Sequence, residues 1–171
     1  MRICILGAEC TGKTTLAAGL ADALNAVRVP EYLRDFVDAR GRTPRQDEQL
    51  QVLQAQILRE SDATAQALRD GRAGVVCDTA PLLTAVYSAH YFGDTSLLPV
   101  ALAHHHQYTH TLLLEPDLPW RADGLQRDSA AARDAVHQRL CATLDGAGIA
   151  VVRVAGPPAQ RLRTALVALT R

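Results

Sequence analysis

The stretch GAECTGKTTL, Gly7 to Leu16, matches the spacing Gly-x-x-x-x-Gly-Lys-Ser/Thr and comes directly after an apolar run, RICILG (Arg2 to Gly7). No other feature restricts the fold as much. A loop of this kind works when it leaves a buried strand and opens a helix. Glycines let backbone N–H groups converge on an anion, and the positive end of the helix adds to the same field. The motif thus asks for strand, turn and helix in immediate succession, and for a parallel sheet to carry them.

The rest of the chain agrees with that demand. Four more short apolar runs follow: AVRVP (Ala26 to Pro30), GVVCD (Gly74 to Asp78), HTLLLE (His110 to Glu115) and IAVVRV (Ile149 to Val154). Between them lie stretches with apolar residues at three- and four-residue steps: Gly12 to Leu24, Arg45 to Arg69, Pro81 to Tyr91, Ser129 to Leu144 and Pro157 to Thr170. Strands alternating with helices read as α/β. RDGRAG (Arg69 to Gly74) and DGAG (Asp145 to Gly148) supply helix-ending glycines before the third and the last strand. The expected fold is a three-layer α/β/α sandwich of the P-loop kinase type, with a five-stranded parallel sheet in the order 2-3-1-4-5. At 171 residues, 48% of them apolar, one domain over residues 1–171 is the expectation.

Charge narrows the range of partners. The 18 basic and 18 acidic residues cancel, so no overall field recruits nucleic acid or an anionic membrane. No basic patch is interleaved with aromatics, and no apolar run approaches the roughly 20 residues of a membrane span. The expected partner is a small molecule, with no nucleic acid and no membrane; self-association into a homo-oligomer is left open. Cys4, Cys10, Cys77 and Cys141 form no Cys-x-x-Cys pair, and the first few residues carry no apolar region of the signal-peptide kind, so a reducing, cytoplasmic setting is expected.

Of the 18 basic residues, Lys13 is the single lysine. Elsewhere arginine serves. A compact, mobile ammonium can reach between the β- and γ-phosphates of a nucleotide and follow charge toward the leaving oxygen, where a planar guanidinium is bulkier and fixed in geometry. ATP is the expected cosubstrate, held by the loop residues Gly7, Glu9, Cys10, Thr11, Gly12, Lys13, Thr14 and Thr15. The Thr14 hydroxyl is expected to ligate Mg²⁺, and Thr15 to contact the α-phosphate.

Acidic residues just beyond the strand ends are candidates for the remaining chemistry, because ligands of a parallel sheet sit at its carboxyl edge. Asp78 ends the third run and is read as a metal-orienting acid, with a helix N-cap as the alternative. Glu31 follows the second run and is read as the carboxylate that takes a substrate hydroxyl proton or holds its sugar, with an idle strand-end acid as the alternative. A lid is expected over about residues 117–133, where Arg121, Arg127 and Arg133 recur at six-residue intervals after two prolines and Trp120. Its alternative is a surface loop whose arginines pair with Asp117, Asp123 and Asp128. Trp120 is either packed underneath or stacked on a planar ligand. Tyr87 and Tyr91, one helical turn apart, form an aromatic wall for a flat substrate or are half-buried core residues. HHHQYTH (His104 to His110) is read as structural rather than metal-binding, since consecutive helical residues diverge.

GAECTGKTTL, EYLRDF (Glu31 to Phe36), CDTAPLLTAVYSAHYFG (Cys77 to Gly93) and PWRADGLQRD (Pro119 to Asp128) together resemble the ribosylnicotinamide kinase domain of the bifunctional NadR-type proteins of NAD salvage. The resemblance runs over about Met1 to Val154 and implies transfer of the γ-phosphoryl group of ATP to the 5′-hydroxyl of nicotinamide riboside. It implies that Glu31, Tyr32 and Arg34 line the nucleoside side, that Asp78 serves metal or hydroxyl, and that Arg121 and Arg127 close over ATP; Tyr91 and Trp120 join the substrate side. Two positions depart from the family: Pro30 stands where Trp is frequent, and Ala80 where a second acid is common. With Gly7 almost at the start, the expectation is a kinase half alone. The alternatives to nicotinamide riboside phosphorylation are a P-loop NTPase, a nucleotide-sensing module, and a kinase for another nucleoside.

Overall fold

The computed structural model describes residues 1–120 and 129–169. Its centre is strand β1 (Arg2–Leu6), buried along its whole length because both faces of the sheet are covered. β3 (Val75–Asp78) flanks it on one side and β4 (His110–Leu114) on the other. The edges are β2 (Val27–Val29) and β5 (Val152–Val154). All pairings are parallel, and the order is β2-β3-β1-β4-β5, as the sequence predicts. Both edge strands read Val-Arg-Val, with the arginine exposed, a short charged edge that resists pairing with another chain.

Helix α1 (Lys13–Leu24) and the C-terminal helix α7 (Pro158–Leu169) cover one face. Their apolar residues close a cluster with Ile3, Ile5, Val76, Leu112, Leu114 and Val154. The other face carries α3 (Gln49–Arg69), α4 (Pro81–Tyr91) and α6 (Ala130–Gly146), packed over Cys4, Leu6, Val75, Cys77 and Leu113. Alternate residues of β1 therefore feed opposite layers, which the strand's period of two requires. Gly71 and Gly148, at φ 64°, occupy the helix-ending turns expected of them.

Two helices lie where no helix is expected from sequence: α2 (Tyr32–Arg40) and α5 (Leu98–His105). A 3₁₀ turn, Gln46–Glu48, leads into α3. Among the described residues, no helix is long and apolar enough to cross a membrane.

Candidate active site at the carboxyl edge of the sheet

The phosphate loop begins where β1 stops. Gly7 has φ 156°, and a Cβ there would stand 2.7 Å from Thr11 Oγ1 and 3.1 Å from Leu114 Cβ, so only glycine lets the loop pass over β4. Gly12, at φ 82°, is the residue before α1, and Cys10 is also left-handed at φ 55°. Such reversals turn successive N–H groups toward one concavity. Thr11 braces the loop from within, its hydroxyl donating to Ala8 O at 2.8 Å. Thr14 is half-buried and Thr15 exposed on the first turn of α1.

Lys13, 8% exposed, folds back over its own loop, its Nζ donating to Gly7 O at 2.9 Å and Ala8 O at 3.1 Å. An ammonium has three N–H donors, so one remains beyond those two.

Strand register brings the acids alongside. Asp78 pairs with Ile5 and Val29 with Cys77, so Asp78 and the segment after β2 stand at the same edge as the loop. Asp78 is 2% exposed, and its Oδ1 has no hydrogen-bond partner among the described atoms. It is not a helix cap: α4 is preceded by Ala80, and no side chain caps it. The next residue, Thr79, holds φ 93°, rare for a β-branched side chain and of the order of 1–3 kcal/mol in strain. Its N–H donates to Ile5 O at 3.1 Å, tying the strained turn to the central strand.

Glu31 is 7% exposed and takes the N-cap position of α2, yet its side chain caps no amide of that helix. Its carboxylate lies 3.3 Å from Arg34 Nε. Burial pushes its pKa up; Lys13 opposes that rise, Asp78 adds to it, and Arg34 opposes it through charge and hydrogen bonding. Tyr87 faces the same acids: burial raises its pKa first, then the charges of Glu31 and Glu9. Tyr87 and Tyr91 have ring centroids 6.1 Å apart, tilted by 30°, and Tyr91 sits edge-on to His90 at 4.7 Å. Tyr87 is thus the half-buried member of the pair, and Tyr91 the exposed one. The Tyr32 ring lies under the Arg59 guanidinium at 5.0 Å, and Arg59 also binds Asp35 at 2.6 Å.

The structure brings Lys13, Glu31, Asp78, Arg34 and Tyr87 into one electrostatic neighbourhood. Arg121 and Arg127 lie outside the described residues. Arg133, third in the arginine series, belongs to the first turn of α6 and donates to Leu118 O at 2.9 Å, anchoring the segment that leads toward them. Trp120 is half-buried, its Nε1 without a partner among the described atoms. Asp117 pairs with Arg161 of α7.

Arg161 is a site residue that the sequence does not announce. With Gly12, Thr15, Leu16, Leu118 and Pro158 it lines a cleft of about 70 Å³ on the α7 side of the phosphate loop. Gln56 and Glu60 of α3 are likewise illegible, because Gln and Glu on a helix read as a solvated face. The histidine run is structural in its contacts: His104 meets Glu60 at 3.1 Å and His105 meets Thr111 at 2.9 Å.

Solved structures with this architecture include a NadR protein in complex with NR, with TM-score 0.78 and 22% identity over 98% of this chain and 50% of that one. A NadR protein in complex with NAD and AMP-PNP gives TM-score 0.76 at 23% identity over 98% and 48%. Deoxyadenosine kinase from M. mycoides gives 0.67 at 12%, over 99% of each chain. At these identities the likeness is one of fold, and the chain spans about half the length of the NadR chains. No curated protein matches it. Residues 2–161, from the first strand to the arginine of α7, match the AAA domain family, and a match of that extent around an intact phosphate loop means that the chain belongs to it.

Proposed function

We propose that the chain is an ATP-dependent kinase that phosphorylates the 5′-hydroxyl of nicotinamide riboside. The observation that carries the reading is Glu31: a buried carboxylate at the strand edge, beside Lys13 and Asp78, with its proton affinity raised. That is what a base for an acceptor alcohol needs. The NadR structures bear on the acceptor, since one is described as holding NR and another as holding NAD and AMP-PNP.

In this reading the acceptor lies between Glu31 and the Tyr87–Tyr91 pair, with Tyr32, Arg34 and Trp120 on its periphery. Its hydroxyl oxygen forms the new bond to the γ-phosphorus, the bond from that phosphorus to the β–γ bridging oxygen breaks, and the hydroxyl proton passes to Glu31. Lys13 neutralises charge on the departing diphosphate, and the loop amides hold the remaining phosphates. Thr14 and the unpartnered Oδ1 of Asp78 fit a magnesium site, and that ion would screen the phosphate charge. The cleft beside Gly12, Thr15 and Arg161 takes the nucleotide base. Arg121 and Arg127 are assigned to lid closure over the triphosphate.

The test is ADP release with and without acceptor. Release stimulated many-fold by nicotinamide riboside, mole for mole with nicotinamide mononucleotide, is expected. Release at an unchanged rate without acceptor would make the chain an NTPase instead. Glu31→Gln should lower kcat far more than it weakens ATP binding. Because the folded pKa of Glu31 is raised, kcat of the unaltered enzyme should begin to fall at a pH above 4.5, the ordinary value for this carboxyl, as the base becomes protonated.

A further inference from the structure

Below the site, α3 holds a polar network that nothing in the chemistry above uses. Glu60 is fully buried, at 0% exposure. Its Oε2 accepts from Tyr108 Oη at 2.7 Å and lies 3.1 Å from His104 Nε2 and 3.7 Å from Arg2 Nη2. Its Oε1 accepts from Gln56 Nε2 at 3.1 Å, one turn earlier on the same helix. Burial holds the Tyr108 phenol well above its ordinary pKa, so it stays a donor.

The orientation of each group follows from its neighbour. Arg2 Nη1 donates to Gln107 Oε1, which turns the Gln107 amide nitrogen toward His104 Nδ1 at 3.4 Å and leaves His104 Nε2–H facing Glu60. Glu60 as a carboxylate can only accept. It therefore fixes the Gln56 amide with its NH₂ toward Glu60 and its Oε1 pointing the other way. That Oε1 accepts from Tyr32 N at 2.9 Å.

Tyr32 is the first residue of α2, and its amide is one of the four that a helix start leaves without an internal partner. An N-cap side chain ordinarily serves the amides of the second and third helical residues, so the first, that of Tyr32, needs an acceptor from elsewhere. Here the N-cap residue is Glu31, and its carboxylate is paired with Arg34 instead, within electrostatic range of Lys13 and Asp78. A side chain from α3, Gln56, supplies the acceptor for Tyr32 N.

We propose that Gln56, held in one amide orientation by Glu60, is a positioning residue that fixes the entry of α2 and with it the place of the Glu31 carboxylate in the site. This rests on Glu31 acting as the base. Without Gln56 Oε1 the Tyr32 amide loses its acceptor, the first turn of α2 shifts, and Glu31, the residue next to Tyr32, moves with it away from the acceptor hydroxyl.

The experiment compares Gln56→Met, which keeps length and removes the acceptor, with Glu31→Gln and the double variant. Gln56→Met should speed hydrogen exchange at the Tyr32 amide at least tenfold, read by NMR without any substrate. It should lower kcat about tenfold, the scale of one lost hydrogen bond, with KM for ATP unchanged. The acid limb of its kcat–pH profile should shift, since Glu31 changes its distance from Lys13, Asp78, Arg34 and Tyr87. In the Glu31→Gln background, Gln56→Met should lower kcat no further. Should Gln56→Met fold poorly, Gln56→Asn, polar but too short to reach Tyr32, takes its place with the same expectations. Unchanged Tyr32 exchange overturns the proposal, as does a kcat loss that repeats in full in the Glu31→Gln background. Full kcat in Glu31→Gln alone overturns the base assignment instead, and the exchange result still reports on Gln56.

Discussion

Lys13 shows how much one side chain's shape decides. Its ammonium sits almost buried, between two carbonyl oxygens of its own loop at 2.9 and 3.1 Å. A tetrahedral donor group fits there and can still turn outward. A guanidinium is planar, larger and forked, so arginine at this position must either displace the loop or leave those carbonyls. The first choice distorts the phosphate cradle, and the second puts the charge in the wrong place. Lys13→Arg should therefore cost on the order of 3 kcal/mol of transition-state stabilisation, more than a hundredfold in kcat/KM, comparable to losing an oxyanion-hole donor. Steady-state ADP formation checks it, with a thermal melt to show that the variant is folded. Near-normal turnover would remove the steric explanation for a lone lysine among 18 basic residues.

At the scale of elements, α5 and α2 show what sequence periodicity misses. α5 is eight residues long, has Pro99 in its first turn, and buries Ala101, His104 and His105. Two of those three anchors are histidines, a residue type of only intermediate burial that carries no apolar signal. His105 bridges to β4 through Thr111, and burial, then His104 and His106, pull its pKa down to about 4. In the unfolded chain the same imidazole takes up its proton near pH 6.5, so the unfolded state binds more protons between pH 6.5 and 4. The contribution is intact above pH 6.5 and is lost as pH falls toward 4. At pH 5 that loss is about 2 kcal/mol, roughly 4–8 °C in Tm for a chain of this size. His105→Gln, which can keep a bond to Thr111 without titrating, should lose less Tm between pH 7 and pH 5 by that margin. Equal losses in calorimetry would show that the ring takes up its proton freely in the folded state. The five strands, by contrast, are legible because each is a short apolar run, and the phosphate loop because glycine and lysine have few other reasons to be spaced so. α2 is not: four of its nine residues are charged, and only Phe36 and Val37 are buried. Glu31 and Asp78 could be placed at the sheet edge from their position after apolar runs. Gln56 could not, since nothing local marks a helical glutamine whose partner lies 24 residues away.

At the scale of the whole molecule, a buried cation ties the outer helix α7 to the carboxyl edge of the sheet. Arg161 is 1% exposed although it lies on an outer helix. Its Nε donates to Gly156 O at 2.7 Å, Nη1 to Val154 O at 3.1 Å and Nη2 to Glu115 O at 3.2 Å, with Asp117 as the counter-charge. Asp117 in turn accepts from Gly156 N at 2.6 Å. The ends of β4 and β5 and the start of α7 are thus bound to one another through guanidinium and carboxylate. Replacing Arg161 by Met leaves three carbonyls without these donors and takes from Asp117 the guanidinium charge beside it. Breaking a buried pair costs about 3–5 kcal/mol; because Asp117 can turn to solvent, the lower end applies, roughly 6–12 °C in Tm. The same residue walls the cleft beside Gly12 and Thr15, so the change should also raise KM for ATP while leaving KM for the acceptor, on the far side of β1, nearly as it was. Lysine at 161 can restore one or two of the carbonyl bonds but not the fork, and should fall between. Calorimetry and two-substrate kinetics on Arg161→Met and Arg161→Lys decide it. A melt at the unaltered temperature would mean that apolar packing of α7 on α1 suffices to hold this layer in place.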